Sequence, residues 1–285
     1  MGGPSSEREV SLRSGAAVAA GLRAAGYEVL EVDVKSGDLN LPGGVEAVFI
    51  ALHGAFGEDG TVQALLEKMR IPYTGSGPEA SRRSFDKILS KKVFVGSGIP
   101  TPGYEILKKG MKRRMSLPLV VKPVCQGSSV GVNRVLTEPE WDAAAADTWS
   151  FGEELLAEQY IPGRELTVGI LGDKALPIVE IVAPGGWYDY KAKYTKGASR
   201  YLVPAEVDAR VAGLCQESAL KAFRVLGCSD FARVDIRMSP ENEIYVLELN
   251  NIPGFTETSL LPKAAANAGI VFAELCDRIM SMADL

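Results

Sequence analysis

The sequence predicts a mixed α/β protein of more than one domain, and two patterns carry that expectation. Over the first 75 residues, helical and strand-like patterns alternate, as they do where helices cover a parallel sheet. Near the C-terminal end, two period-two runs, 231–238 and 243–250, flank the turn-forming Ser239-Pro-Glu-Asn242 and predict an antiparallel hairpin. A chain of 285 residues, 46% of them hydrophobic, can bury a large core and divide into two or three domains.

Taken in order, the chain opens on Met1-Gly-Gly-Pro-Ser-Ser-Glu7. Ser6 and Glu9 have capping-box spacing, and the helix they predict continues through 14–25 to a glycine cap at Gly26. Residues 27–34 read as a strand and 47–52 as a second, buried one. A Gly-rich turn opening a helix normally follows a strand, and here nothing precedes it. The second strand runs into His53, the one histidine of the chain. Ligands of open α/β sheets gather at such strand ends, so His53 is either a structural hydrogen-bonder or part of a site. Thr61 is positioned to cap the next helix.

Residues 71–78 are dense in turn formers and predict a domain boundary. A basic helix over 79–95 follows, carrying Lys87 among Arg82, Arg83, Lys91 and Lys92, most of them expected on a solvated face. The apolar run 117–122 is a strand ending at Lys122. The loop after it, Cys125-Gln-Gly-Ser-Ser-Val-Gly131, offers close backbone approach and hydroxyl and N–H groups suited to phosphate. It lacks the Walker A spacing, and a plain turn between strands gives the same pattern. A short helix over 139–148 comes next, then an apolar strand ending in Glu158 and a Pro-Gly pair that reads as a hinge. Residues 187–201 are polar, aromatic and broken by glycine, which predicts a long functional loop. A helix over 206–226, capped by Gly227, leads to the hairpin, and 262–282 is the last helix.

In the hairpin, alternation puts Arg233 and Asp235 on one face of the first strand, and Glu248 and Asn250 on one face of the second. A turn centred on Glu241 and Asn242 sets Asp235 opposite Glu248 and Arg233 opposite Asn250. Two carboxylates facing each other repel, and a divalent cation turns that penalty into a site. Asp, Glu and Asn are hard oxygen donors suited to Mg²⁺ with a bound phosphate. A solvated sheet face with scattered charge is the plainer alternative. The following Asn251-Ile-Pro-Gly-Phe-Thr256, able to present backbone N–H groups, favours the metal reading.

Composition narrows the classes further. Thirty-one basic against 36 acidic residues give a net charge of −5, which argues against nucleic acid or an anionic membrane as partner. Cys125, Cys215, Cys228 and Cys276 form no C-x-x-C pair and read as reduced cytosolic thiols. No apolar run approaches ~18 residues, and the N-terminus lacks the pattern of a secretion signal.

Assembled, the segments resemble the D-alanine–D-alanine ligases of the ATP-grasp superfamily. The resemblance is carried by Glu7-Arg-Glu-Val-Ser-Leu12, Ala51-Leu-His-Gly54, Pro72-Tyr-Thr-Gly-Ser-Gly77 and Asp86-Lys87. It continues through Val121-Lys-Pro123 with Gly127-Ser-Ser-Val-Gly131, Tyr188-Asp-Tyr-Lys-Ala-Lys-Tyr194, Arg233-Val-Asp235, and Glu248-Leu-Asn-Asn-Ile-Pro-Gly-Phe-Thr256. Each segment is weak alone, but they run nearly end to end in the family's order.

The resemblance implies an N-terminal α/β domain (1–75), a central ATP-grasp domain (76–157) and a C-terminal catalytic domain (158–285), with ATP gripped between two antiparallel sheets. It implies ATP-dependent ligation of two D-alanines through an acyl phosphate, for peptidoglycan precursor synthesis and cell-wall biogenesis. By motif match, Lys87 and Lys122 would hold phosphates, Glu158, Gln159, Tyr160 and Ile161 would line the adenine, Glu165 the ribose, and Lys193 would also bind the nucleotide. Asp235, Glu248 and Asn250 would hold two Mg²⁺ ions, with Mn²⁺ as an alternative. Glu7 would meet the first D-alanine's ammonium, with His53 and Ser128 near it. Arg233, the Gly254 N–H, Ser259 and Leu260 would serve the second substrate and the oxyanion, and Tyr194 the closing loop. The expected partners are D-alanine and ATP, in a cytoplasmic homodimer with neither nucleic acid nor membrane.

This chain departs from the family pattern in three places. Family chains usually carry a strand before the Gly-Gly turn. Without it the first sheet lacks a member next to Val29 and Ile50, and an upstream natural start, a dimer partner or a shifted strand is expected to fill the gap. Cys125-Gln126 stands where an acidic residue is common, and Asn251 where Thr is frequent. Two other readings remain: a different ATP-grasp carboxylate–amine ligase, and a catalytically weakened ATP-binding regulator.

Overall fold

A computed structural model describes residues 1–188, 195, 197–256 and 259–285. Its strands, among the described residues, form two antiparallel sheets. The smaller has the order β1-β4-β2-β3, from β1 (Tyr104–Lys108), β2 (Leu119–Pro123), β3 (Asn133–Val135) and β4 (Glu154–Gln159). The larger has the order β10-β9-β5-β7-β8, from β5 (Arg164–Leu171), β7 (Val179–Val182), β8 (Arg200–Leu202), β9 (Phe231–Met238) and β10 (Ile244–Asn250). The short β6 (Lys174–Ala175) pairs with β5.

Local chemistry sets the helices that cover these sheets. Helix α5 (Glu138–Trp149) starts with a reciprocal capping box between Thr137 and Glu140. It lies over the smaller sheet, on a core of Leu107, Leu119, Val121 and Leu155. Helix α6 (Ala209–Leu226) starts where Asp208 accepts from the Val211 N–H at 2.9 Å, and ends at the left-handed Gly227 (φ 79°). Its stripe of Val211, Cys215, Ala219, Ala222 and Leu226 packs on Leu166, Val168, Val234 and Ile236 of β5 and β9. The opposite face of that sheet takes α7 (Leu260–Asn267) and α8 (Phe272–Met280), with Leu261, Ala264 and Leu275 against Val179 and Phe231.

The basic stretch 79–95 is two helices, α3 (Pro78–Phe85) and α4 (Lys87–Gly96). Asp86, in extended conformation, interrupts them and caps α4 by accepting from the N–H groups of Ile88 and Leu89, both at 2.9 Å. The break turns Lys87 and Lys91 inward, 8% and 1% exposed, while Arg82, Arg83 and Lys92 stay outside the core, as expected for most of the set. The expected helix over 262–282 is likewise two helices, parted at the left-handed Gly269 (φ 83°).

The N-terminal region differs most from expectation. Helix α1 (Arg8–Ala24) has no side-chain cap, so the Ser6–Glu9 box does not form. Helix α2 (Thr61–Met69) includes Thr61, whose N–H is held by Asp59. Residues 27–34 and 47–52 are extended but pair only through isolated parallel bridges, Gly2 with Val34 and Val48 with Tyr73. The Met1–Gly3 segment does run along the first of them in parallel register. Val34 donates to the Met1 carbonyl at 2.9 Å, Gly3 donates to the Val34 carbonyl at 2.7 Å, and the Met1 ammonium reaches the Val32 carbonyl at 3.0 Å. A cavity of about 690 Å³ lies between the two segments, lined by Met1, Val29, Leu30 and Val32 and by Val48 and Ile50. Neither segment makes more than an isolated bridge, so neither is a strand among the described residues.

Candidate active site

The hairpin of β9 and β10 carries the register expected where it matters. Glu248 pairs with Asp235, Leu249 with Val234 and Asn250 with Arg233. Nearer the turn, Val246 pairs with Ile236, one residue out of step, and a bulge at Leu247 absorbs the difference. The turn itself uses Asn242 in the left-handed conformation (φ 64°).

Asp235 is 7% exposed. It accepts from the Arg233 guanidinium through both oxygens, at 2.9 Å each, and from Thr167 Oγ1 at 2.6 Å. Burial works against the Arg233 charge, but the attraction of Asp235 more than offsets it and raises the guanidinium's pKa. Glu248 lies 3.5 Å from the Lys87 ammonium, which also donates to the Gln126 carbonyl at 2.7 Å. Asn250 accepts from the Ile252 N–H at 3.1 Å.

A second charged cluster lies at Glu158 on β4. The Lys122 ammonium contacts it at 2.6 Å and that of Lys91 at 2.9 Å. Burial raises a carboxyl pKa, yet the two ammonium groups hold Glu158 below its ordinary value. Lys91 is the less well compensated cation, and burial pushes its pKa down to about 8. Arg237 organises the neighbouring turn, donating to the carbonyls of Ile161 (3.2 Å) and Gly163 (3.0 Å) and pairing with Glu165 at 3.2 Å. Arg134 lies over the rings of Tyr160 and Trp187, 5.6 and 5.3 Å from their centroids.

A third group ties the start of α1 to the loop after β2. The Ser128 hydroxyl donates to Glu7. Gly127 passes so close to the Glu7 carboxylate that a side chain there would collide with it. His53, 4% exposed, is committed to the fold. Its Nδ1 faces the Ile252 carbonyl at 3.1 Å, an acceptor only, so Nδ1 carries the proton. Nε2 is hydrogen-bonded to the Ser14 hydroxyl at 2.9 Å, and Ser14 accepts from the Phe255 N–H at 3.1 Å. This chain pins residues 252–255 on both sides of Gly254. Asn251 adds a bond to the Glu58 carbonyl at 3.2 Å.

Two adjoining cavities gather the expected residues. One, of about 640 Å³, is lined by Glu7, His53, Ser128, Arg233, Asn250, Gly254, Ser259 and Leu260. The other is lined by Lys122, Glu158, Gln159, Tyr160, Ile161, Glu165 and Asp235. Lys87, Gln126, Tyr188 and Glu248 line both. Lys193 and Tyr194 lie outside the described residues. Sequence reasoning missed Ser14, Lys91, Thr167 and Arg237. Arg237 is on the same period-two face as Arg233 and Asp235, which was signal enough to find it. The others act on partners distant in sequence, for which no local signal exists.

The donors at the hairpin suit a hard divalent cation: two carboxylates facing each other across one strand pair, with an amide oxygen beside them. They fall short of a complete shell, which leaves positions for phosphate and water oxygens. Among the described residues no group of three or more His, Cys, Asp or Glu forms a stand-alone metal cage.

Comparison with known proteins gives the family and the fold. A family model described as D-ala D-ala ligase C-terminus matches residues 97–281, and one described as D-ala D-ala ligase N-terminus matches 34–76. A D-alanine–D-alanine ligase of Methylacidiphilum infernorum is 47% identical over 284 residues, covering 100% of this chain and 94% of that protein. One of Syntrophotalea carbinolica is 48% identical over 291 residues, covering 100% and 95%. The crystal structure of the Bacillus anthracis D-alanine–D-alanine ligase complexed with ATP superposes with a TM-score of 0.85 at 32% identity, covering 99% of this chain and 94% of that one.

Proposed function

The chain belongs to the D-alanine–D-alanine ligase family, and from that premise we propose how its own residues carry out the ATP-dependent joining of two D-alanines for peptidoglycan synthesis. The observation that carries the proposal is the meeting of two cavities at Lys87 and Glu248, one suited to a nucleotide and one to amino acids.

In this reading the adenine lies along Glu158 to Ile161, the ribose meets Glu165, and the phosphates reach Lys122 and Lys87. The first D-alanine sits with its ammonium at Glu7, held in place by the Ser128 bond. Its carboxylate then faces the terminal phosphate of ATP, where the lysines offset the charge that builds as the phosphoryl group transfers. The product of that step, an acyl phosphate, carries a good leaving group. The amine of the second D-alanine, once deprotonated, attacks the acyl carbon, and Arg233 with the Gly254 N–H stabilises the oxyanion. The His53–Ser14 chain keeps Gly254 rigid for that task, so His53 acts through the backbone. Ser259 and Leu260 close the second subsite. Lys193 and Tyr194 belong to the loop expected to exclude water. Bound Mg²⁺, two ions in the family pattern, would supply charge neutralisation on the phosphates, with Asp235, Glu248 and Asn250 as its protein donors.

The division into 1–75, 76–157 and 158–285, the homodimer and the cytoplasmic location remain part of the same proposal. Light scattering in solution tests the dimer. For the location, no helix among the described residues is long and apolar enough to cross a membrane. The test of function is product analysis. With ATP and D-alanine, equal amounts of D-alanyl-D-alanine, ADP and phosphate are expected, and neither L-alanine nor D-lactate should replace D-alanine as second substrate at neutral pH. ATP turnover supported equally by an unrelated amino acid would point to a different carboxylate–amine ligase, and nucleotide binding without turnover to a regulator.

A further inference from the structure

Lys91 is a buried cation that the mechanism above does not use. Its ammonium lies behind Glu158, outside the lining of the nucleotide cavity. It contacts Glu158 at 2.9 Å on the smaller sheet, Thr101 Oγ1 at 2.5 Å, and at 3.3 Å the Val246 carbonyl, next to the bulge of β10 on the larger sheet. Thr101 closes the group by donating to the same carbonyl at 2.7 Å.

The charges around this group decide what Lys91 does. Lys122 faces the cavity, and its nearest counter-ion is Glu158 at 2.6 Å. One carboxylate paired with one ammonium is electrically neutral and has little net pull on a phosphate. A second ammonium on the same carboxylate leaves the cluster at +1, with the excess felt on the Lys122 side, where the cavity is. Glu248 and Glu165 also act on Lys122. Each has a cation of its own, Lys87 at 3.5 Å from Glu248 and Arg237 at 3.2 Å from Glu165, so the count for Lys122, Glu158 and Lys91 stands at +1. In a buried setting such a unit charge is felt over several ångströms.

We infer that Lys91 is a positioning residue that neutralises Glu158 from behind, so that Lys122 stays electrically available to the nucleotide's phosphates. The inference rests on the assignment of this cavity to ATP. It makes Lys91 a determinant of phosphate binding with no contact to the nucleotide. The same ammonium links the strand that would line the adenine to the strand that carries Glu248, so the charge comes with a tether between the two sheets.

The experiment measures binding of ATP and of adenosine to the intact protein, and reads the ratio of the two affinities so that changes around the adenine cancel. Lys91→Gln keeps a donor for the Val246 carbonyl and removes the charge, and it is expected to lower the ATP-to-adenosine ratio about tenfold or more. Lys91→Met should do the same where it folds. The double variant K91Q/E158Q removes one charge of each sign and returns the cluster to +1, so its ratio should recover to within about threefold of the parent. An unchanged ratio in Lys91→Gln would overturn the inference, as would a double variant with a ratio lower than the single. Failure of the parent protein to bind either ligand would instead overturn the nucleotide assignment.

Discussion

The Asp235 carboxylate stands directly opposite Glu248 across the β9–β10 pair, while its own strand neighbour Arg233 grips it at 2.9 Å. Like charges facing across a ladder cost stability unless something binds between or beside them. Glu248→Gln should therefore leave the fold intact, or stabilise it slightly, while lowering turnover on the order of a hundredfold or more through weakened cation binding. Circular dichroism with steady-state kinetics at varied Mg²⁺ checks both halves. Near-parent turnover in a folded variant would remove Glu248 from the metal-binding set.

Ser14 is completely buried and serves two partners, the Phe255 N–H and His53 Nε2. Ser14→Ala strands a backbone donor and should cost about 1–3 kcal/mol of stability. Because the same bonds flank Gly254, turnover should fall as well, with the affinity for ATP unchanged. Denaturant unfolding and ATP titration separate the two effects, and a loss confined to ATP affinity would contradict the proposed part of His53.

Asp230 accepts from the Gly75 N–H at 2.7 Å, joining the loop before α3 to the start of β9. Burial pushes its carboxyl pKa up from 3.8 to about 6. The folded protein then holds a proton that the unfolded chain releases, so this group's contribution falls as pH rises from about 4 to about 6. Asp230→Asn keeps the acceptor oxygen and should flatten that part of the Tm-against-pH curve. An identical slope in the variant would assign the pH dependence to other groups.

The parts of the fold that sequence made legible are those governed by local periodicity. Alternation alone set Asp235 against Glu248, because a period of two leaves no choice of face once the turn is located. The bulge at Leu247 was invisible, since it answers to contacts of Val246 with Pro100, Thr101 and Lys91 far away in the chain. The reading of 79–95 as one helix failed at Asp86, and charge alone did not tell the buried Lys91 from the solvated Lys92. Asp86 was there as a capping residue, and the partners that hold Lys87 and Lys91 inside come from β4, β10 and the loop after β2. Gly269 likewise marked the break in the last helix, but an apolar pattern on both sides concealed it. The substrate residues were legible through the order of their motifs, whereas the cavity that gathers them depends on packing between the sheets, which no window of sequence reports.

The central claim is that nucleotide phosphates lie where the two cavities meet, between the lysines and the hairpin. It is tested most directly by a crystal structure with a non-hydrolysable ATP analogue and Mn²⁺, read from the anomalous difference map. The account predicts a Mn²⁺ peak bonded to Asp235 and Glu248, with Asn250 beside it and the analogue's phosphates against Lys87 and Lys122. A Mn²⁺ peak away from all three donors, or an analogue seated in the cavity of Glu7 and Ser128, would contradict it.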